Sequence, residues 1–228
     1  MILKTLSSLK KQSRIKNLDA LLVSHGTHVL NNKKIVNDIW TEHSRYMILS
    51  EFPYVSLQTP YTEQFLKEKA NLVSSQIKTG PLIFAEKKSK SERERLRKKL
   101  FPNYLNKKIL LHAATPYSWS YLLPYINLTQ EEYIKNINDL IKTVKNMKNV
   151  FLIIRIRLKS FPGLSLKDLK SLLVQSESFD ICVDESFEEL LAISDLLISY
   201  SSTAIEEALQ SDIPVLQYDP HDRYSHIE

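Results

Sequence analysis

Between residues 105 and 228 short uninterrupted apolar runs alternate with amphipathic segments, and this alternation restricts the fold more than any other feature of the chain. The runs "KKILLHAA", "NVFLIIRIRL", "FDICVD", "DLLISY" and "IPVLQYD" have strand length and carry apolar side chains at consecutive positions. A strand apolar on both faces is buried on both. That arrangement belongs to parallel sheets, because the crossovers that join parallel strands lay helices on each side. The intervening segments supply those helices. Thr129 and Glu132 have capping-box spacing ahead of Ile134, Ile137, Ile141 and Val144, which share one helical face. Ser165 opens "SLKDLKSLLVQS", Ser186 and Glu189 open "FEELLAIS", and a fourth helix is predicted over "TAIEEALQ". The pattern predicts an α/β fold, a Rossmann-like parallel sheet with helices on both faces, over residues 105–228.

The first part of the chain repeats this grammar more loosely. "LDALLVS" is a predicted strand that ends at His25-Gly26-Thr27, "YVSLQ" is another, and Thr59-Pro60 begins a helix over "YTEQFLKEKA". Residues 1–85 are therefore expected to be part of a second α/β domain. The charged stretch "EKKSKSERERLRKKL" predicts a linker or solvated helix at 86–104. Charge is uneven: residues 1–100 hold 19 Lys and Arg against 9 Asp and Glu, and the remainder 12 against 17, so +10 stands beside −5. A basic first part suits an anionic acceptor or an acidic lipid surface. Nucleic acid is not expected, since no recognised binding motif accompanies the charge.

Several function classes are set aside by what the chain uses sparingly. Cys182 is the single cysteine and lies in an apolar run, so a small core residue is expected there and a disulfide framework is not. No apolar run approaches the roughly 18 to 20 residues of a membrane span, and "MILKTLSSLKKQSR" lacks the apolar centre of a signal peptide. The expected location is cytoplasmic, with peripheral contact at the inner membrane surface. The glycines are Gly26, Gly80 and Gly163, too far apart for a dinucleotide-binding or P-loop turn. His221 and His226 have no defined setting, and no metal or other cofactor is expected.

Open α/β sheets bind ligands outside the carboxyl ends of their strands, where helix N-termini favour anions. Ser201, Ser202 and Thr203 follow "DLLISY" at one such end, and Glu206 stands one turn into the next helix. The hydroxyls can bond phosphate oxygens while Glu206 accepts from ribose or sugar hydroxyls; equally, Thr203 and Glu206 can form a capping box with Ser201 and Ser202 as loop polars. Arg155 and Arg157 close another strand on one side of it, suited to phosphate or to helix carboxylates. His112 ends a third strand, as a ligand contact or as a hydrogen-bonded core histidine. Hydroxyls, arginines and a histidine at three strand ends point to an anionic ligand.

"DLLISYSSTAIEEALQSDIPVLQYDP" resembles the donor-binding segment of the GT-B glycosyltransferases that build bacterial surface and capsular polysaccharide. "KKILLHAATP" and "NVFLIIRIR" are similar to the first strands of that C-terminal domain in the glycerophosphate- and Kdo-transferring branches. The resemblance spans about residues 105–224. It implies nucleotide contacts at Ser201, Ser202, Thr203 and Glu206, with phosphate contacts at Arg155 and Arg157 beside His112. "VSHGTHV" is similar to the His-Gly-Thr turn that some polyol-phosphate polymerases place in the active-site cleft, which makes His25 the candidate base for the acceptor hydroxyl and His28 its alternative. The activity implied is transfer of a sugar or polyol phosphate from a nucleotide-activated donor to a polysaccharide or lipid-linked glycan acceptor, with arginine and helix N–H groups stabilising the leaving phosphate. A nucleotide-sugar 2-epimerase-like isomerase and a catalytically inactive module that binds a nucleotide-sugar or a partner are the alternatives. Members of the family have a whole N-terminal Rossmann domain and a C-terminal helix that crosses back onto it, so the chain is expected to be a fragment.

Overall fold

A computed structural model describes residues 21–23, 34, 38, 54–60, 62–64, 75–82, 84, 86–114, 129–156 and 165–223. The chain divides into two units, Met1–Phe84 and Ala85–Glu228. In the first, β1 (Leu21–Leu22), β2 (Tyr54–Leu57) and β3 (Ser75–Lys78) form a parallel sheet in the order β1-β2-β3. The central strand β2 buries Val55, Ser56 and Leu57, whereas β3 is exposed along its length. Beyond β2, Thr59 Oγ1 accepts from the Thr62 N–H at 3.2 Å, a helix cap with Pro60 in the first helical position, as the Thr59-Pro60 pair predicts.

The second unit is built on β4 (Lys108–Ala113), β5 (Val150–Arg155), β6 (Phe179–Cys182), β7 (Leu196–Ser199) and β8 (Val215–Gln217). All pairings are parallel, and the strand order is β6-β5-β4-β7-β8. Helices cover both faces: α1 (Lys90–Leu100), α2 (Gln130–Lys145), α3 (Leu166–Leu172), α4 (Phe187–Ala192) and α5 (Thr203–Gln210). The fold is the Rossmann-like α/β sheet that the apolar runs predict.

Period-two alternation divides the core into two layers. Ile109, Leu111, Phe151, Ile153, Cys182 and Leu197 pack with Leu96 of α1 and with α4 and α5. Leu152, Ile154, Ile181 and Ile198 point the other way, against α2 and α3. Burying both faces is what the unbroken apolar runs were needed for. Among the described residues no helix is long and apolar enough to cross a membrane.

The charged stretch expected as a linker or helix at 86–104 holds α1, which belongs to the outer layer of this unit. A capping box between Ser89 and Glu92 starts it, and Leu96 enters the core. Its arginines fasten it: Arg93 donates to the Ala192 and Ser194 carbonyls at 2.5 and 3.2 Å, and Arg97 lies 3.4 Å from Asp195. Asp195 in turn accepts from the Ile109 N–H at 2.9 Å and from Lys108 at 3.1 Å, so one carboxylate ties α1, β4 and β7 together.

Of the predicted capping boxes, that of Thr129 forms in part and that of Ser186 does not form. Thr129 accepts from the Glu132 N–H at 3.1 Å, but the Glu132 carboxylate turns to Arg223 at 2.6 Å and His221 at 2.9 Å, since a guanidinium is a stronger partner than the Thr129 N–H. Ser186 sits at the cap position of α4 without a side-chain cap bond, and the Lys88 ammonium holds Glu188 in the first turn of that helix.

Candidate functional site

The strand order reverses between β4 and β7. From β4 the chain steps outward to β5 and β6, then returns to place β7 on the other side of β4, so the connections leaving β4 and β7 diverge. The carboxyl ends of those two strands are the position at which open α/β sheets hold ligands, in the crevice that a strand-order reversal creates.

At the end of β7, Ser199 and Tyr200 are buried, and Ser201, Ser202 and Thr203 are half-buried before α5 begins. Ser202 is the helix cap: its backbone is extended, at φ −164° and ψ 164°, and its hydroxyl accepts from the Ala204 N–H at 3.2 Å. The predicted Thr203–Glu206 capping box is therefore corrected. Thr203 already has helical geometry, which takes its oxygen away from the cap position, and Glu206 is buried at 7% exposure instead of closing a box from the surface. The Ser199 hydroxyl, 3.4 Å from that of Ser202, extends the polar surface one residue into the strand. In the sequence Ser199 is hidden within the apolar run "DLLISY", and its parity with Leu197 is the signal that sets it on that face.

Parallel register joins Ser199 to Ala113 and Ala113 to Arg155, in a row that continues to Cys182. Residues in one such row face the same side of the sheet, and neighbouring strands are about 4.8 Å apart. Arg155 and Ser199 thus stand about 10 Å apart with only a methyl group between them. Arg155 donates through Nη1 to the Ile156 carbonyl, while its buried Nε has no hydrogen-bond partner among the described residues. A guanidinium with donors to spare, a short gap and a serine pair at a helix start can accommodate an anion of about diphosphate size.

Of the two readings of His112, the structure shows the hydrogen-bonded core histidine and not the ligand contact. It ends β4 as predicted, but register sets it beside Ile154 and Ile198, on the opposite face from the Arg155–Ser199 row, and it has no exposed surface. Its Nδ1 lies 3.1 Å from the Ile198 carbonyl, which can only accept, so Nδ1 carries the proton. Burial depresses its pKa to about 4 against the opposing effect of that carbonyl. The neutral ring leaves a lone pair on Nε2, which repels a phosphate oxygen. Tyr200 and Tyr218 stand edge-on to it at ring-centroid distances of 5.3 and 6.3 Å, so His112 belongs to an aromatic cluster under the crevice.

Cys182, at the far end of the row, is buried as predicted, and burial with Glu185 and Asp180 nearby pushes its thiol up to about 12, which leaves it inert. Arg157, His25 and His28 lie outside the described residues. The structure therefore places Arg155 and Ser199 in one row with the Ser202 hydroxyl beside Ser199, leaves Ser201 in the turn between Ser199 and Ser202, and sets His112 on the opposite face of the sheet.

No family model matches the chain, and no curated protein matches it. Solved structures with a similar arrangement include Anabaena Alr3699/HepE in complex with UDP and glucose, at 15% identity and a TM-score of 0.48, covering 94% of this chain and 56% of that one. The same protein in complex with UDP-glucose gives 14% and 0.48, over 93% and 56%. The wall teichoic acid polymerase TagF gives 14% and 0.49, over 89% of this chain and 50% of that one. The chain spans about half the length of these solved chains.

Proposed function

We propose that the second unit binds the diphosphate of a nucleotide-activated donor and that the chain serves in glycosyl or polyol-phosphate transfer of the GT-B type. The observation that supports this most is the Arg155–Ala113–Ser199 row, which opens at the strand-order reversal and faces the serine-capped start of α5. Transfer from such a donor leaves negative charge on the departing phosphate. A fixed guanidinium, hydroxyls and helix N–H groups stabilise that charge without reorganising. Ser201 and Ser202 meet the phosphate, Arg155 neutralises it, and Glu206 accepts from a sugar or ribose hydroxyl after a side-chain rotation. The first unit presents the acceptor, a surface polysaccharide or lipid-linked glycan, with His25 as the base that takes its hydroxyl proton.

Calorimetric titration with UDP-, CDP-, CMP- and GDP-linked donors tests the reading. One donor class is expected to bind, and Ser201→Ala and Arg155→Gln should each weaken it by about 1.5 to 3 kcal/mol, the scale of hydrogen bonds to charged groups. Ser201→Ala is the informative serine variant, because Ser202→Ala also removes the cap of α5, at a cost of about 1 kcal/mol in stability. If no donor binds, or both variants bind as the parent does, the donor site lies elsewhere.

A further inference from the structure

At the other end of the strands, opposite the crevice, a second surface is built from the connections that enter β4 and β5. Lys98, Lys99 and Leu105 precede β4, and Lys145, Met147 and Lys148 precede β5; all six are exposed, Leu105 at 42% and Met147 at 45%. The two connections run side by side, because β4 and β5 pair from Lys108 and Val150 onward and the Lys108 N–H donates to the Asn149 carbonyl at 2.7 Å.

Neighbouring cations are already engaged. Asp195 takes Arg97 and Lys108, Lys142 lies 3.8 Å from Asp139, and Lys107 sits 5.5 Å above the Tyr104 ring. Among the described residues no carboxylate pairs with Lys98, Lys99, Lys145 or Lys148.

Four ammonium groups with no ion-paired carboxylate among the described residues, around two exposed apolar side chains, favour a particular occupant. A nucleic acid would satisfy the charges and leave Leu105 and Met147 in water. The surface of an anionic bilayer satisfies both, since its phosphates meet the lysines while the apolar side chains enter the boundary between headgroups and acyl chains. We propose that this edge of the second unit docks on an anionic lipid bilayer. It takes Lys98 and Lys99 from the basic residues 1–100, on which membrane contact was expected, and adds Leu105, Lys145, Met147 and Lys148 from outside them. Docked this way, the unit holds its crevice about 20 Å from the surface, the length of a six-residue strand.

Sedimentation of the full chain with vesicles of phosphatidylcholine, alone or mixed with phosphatidylglycerol, tests the proposal. Binding is expected to the mixed vesicles and to weaken with salt. Each lysine near such a surface contributes about fivefold, so Lys98→Gln with Lys99→Gln, and Lys145→Gln with Lys148→Gln, should each lower partitioning about 25-fold. Leu105→Ser with Met147→Ser should weaken the binding that remains at high salt. Lys90→Gln with Lys167→Gln, at the starts of α1 and α3, should leave partitioning unchanged. The proposal is overturned if this last pair loses as much as the edge pairs, if the edge pairs lose nothing, if mixed vesicles fail to bind the chain, or if duplex DNA binds it more tightly than the vesicles do. Donor titrations on the edge variants should match the parent, which separates failure here from failure of the donor site.

Discussion

His112 has no contact with solvent, and its protonation is therefore a matter of stability before it is one of chemistry. Burial favours the neutral ring, so the folded chain binds a proton at about pH 4, whereas an unfolded histidine does so at about 6.5. Stability from this residue is present in full above pH 6.5 and is lost as pH falls toward 4, amounting to about 3 kcal/mol over that window. Urea unfolding at pH 7 and pH 4 should show the loss in the parent, on top of that from the carboxylates. His112→Gln cannot take the proton, so its loss should be smaller by about that amount. An identical pH dependence in the two proteins would mean that the ring is hydrated in solution. Ser202 illustrates the same point about context: a hydroxyl that reads as a ligand group is also the acceptor that begins a helix, and both roles fall on one oxygen.

At the scale of elements, strand ends and helix starts are held by a few charged groups that arrive from far along the chain. The loop after β8 folds back so that Arg223, 9% exposed, reaches Glu132 in the first turn of α2, with the Arg223 N–H bonded to Asp219 at 2.6 Å. Tyr218, on the same loop, donates to the Asn136 carbonyl at 3.3 Å. Arg223→Met should lower unfolding stability by about 1.5 to 3 kcal/mol, because a charge-assisted hydrogen bond to a half-buried carboxylate is lost. A change under about 0.5 kcal/mol in urea titrations would show that water replaces the guanidinium without cost. Capping signals in the sequence located the helix starts at Thr129, Ser165 and Ser186 correctly. They did not specify the bonds, since whether Glu132 reaches back to its own cap or across to Arg223 depends on a residue 91 positions away.

For the whole molecule, the second unit contains both core layers, and the segment expected to link two domains is part of one of them. A fragment spanning residues 85–228 should therefore unfold in a single cooperative transition, with circular dichroism and fluorescence tracing the same curve. Divergent curves would mean that the first unit completes its core. The sequence by itself determined the class of this unit: unbroken apolar strands can be buried only between two helical layers, and "KKILLHAA", "NVFLIIRIRL" and "DLLISY" carry that requirement whatever surrounds them. Strand order, register and the use of each polar group were decided by tertiary structure. Apolar runs state that strands pair in parallel but not which pair, so only the insertion of β7 beside β4 creates the crevice and aligns Arg155, Ala113 and Ser199 in one row. The same register turns His112 to the opposite face, because adjacent residues of a strand point to opposite sides and a shift of one position exchanges ligand surface for core.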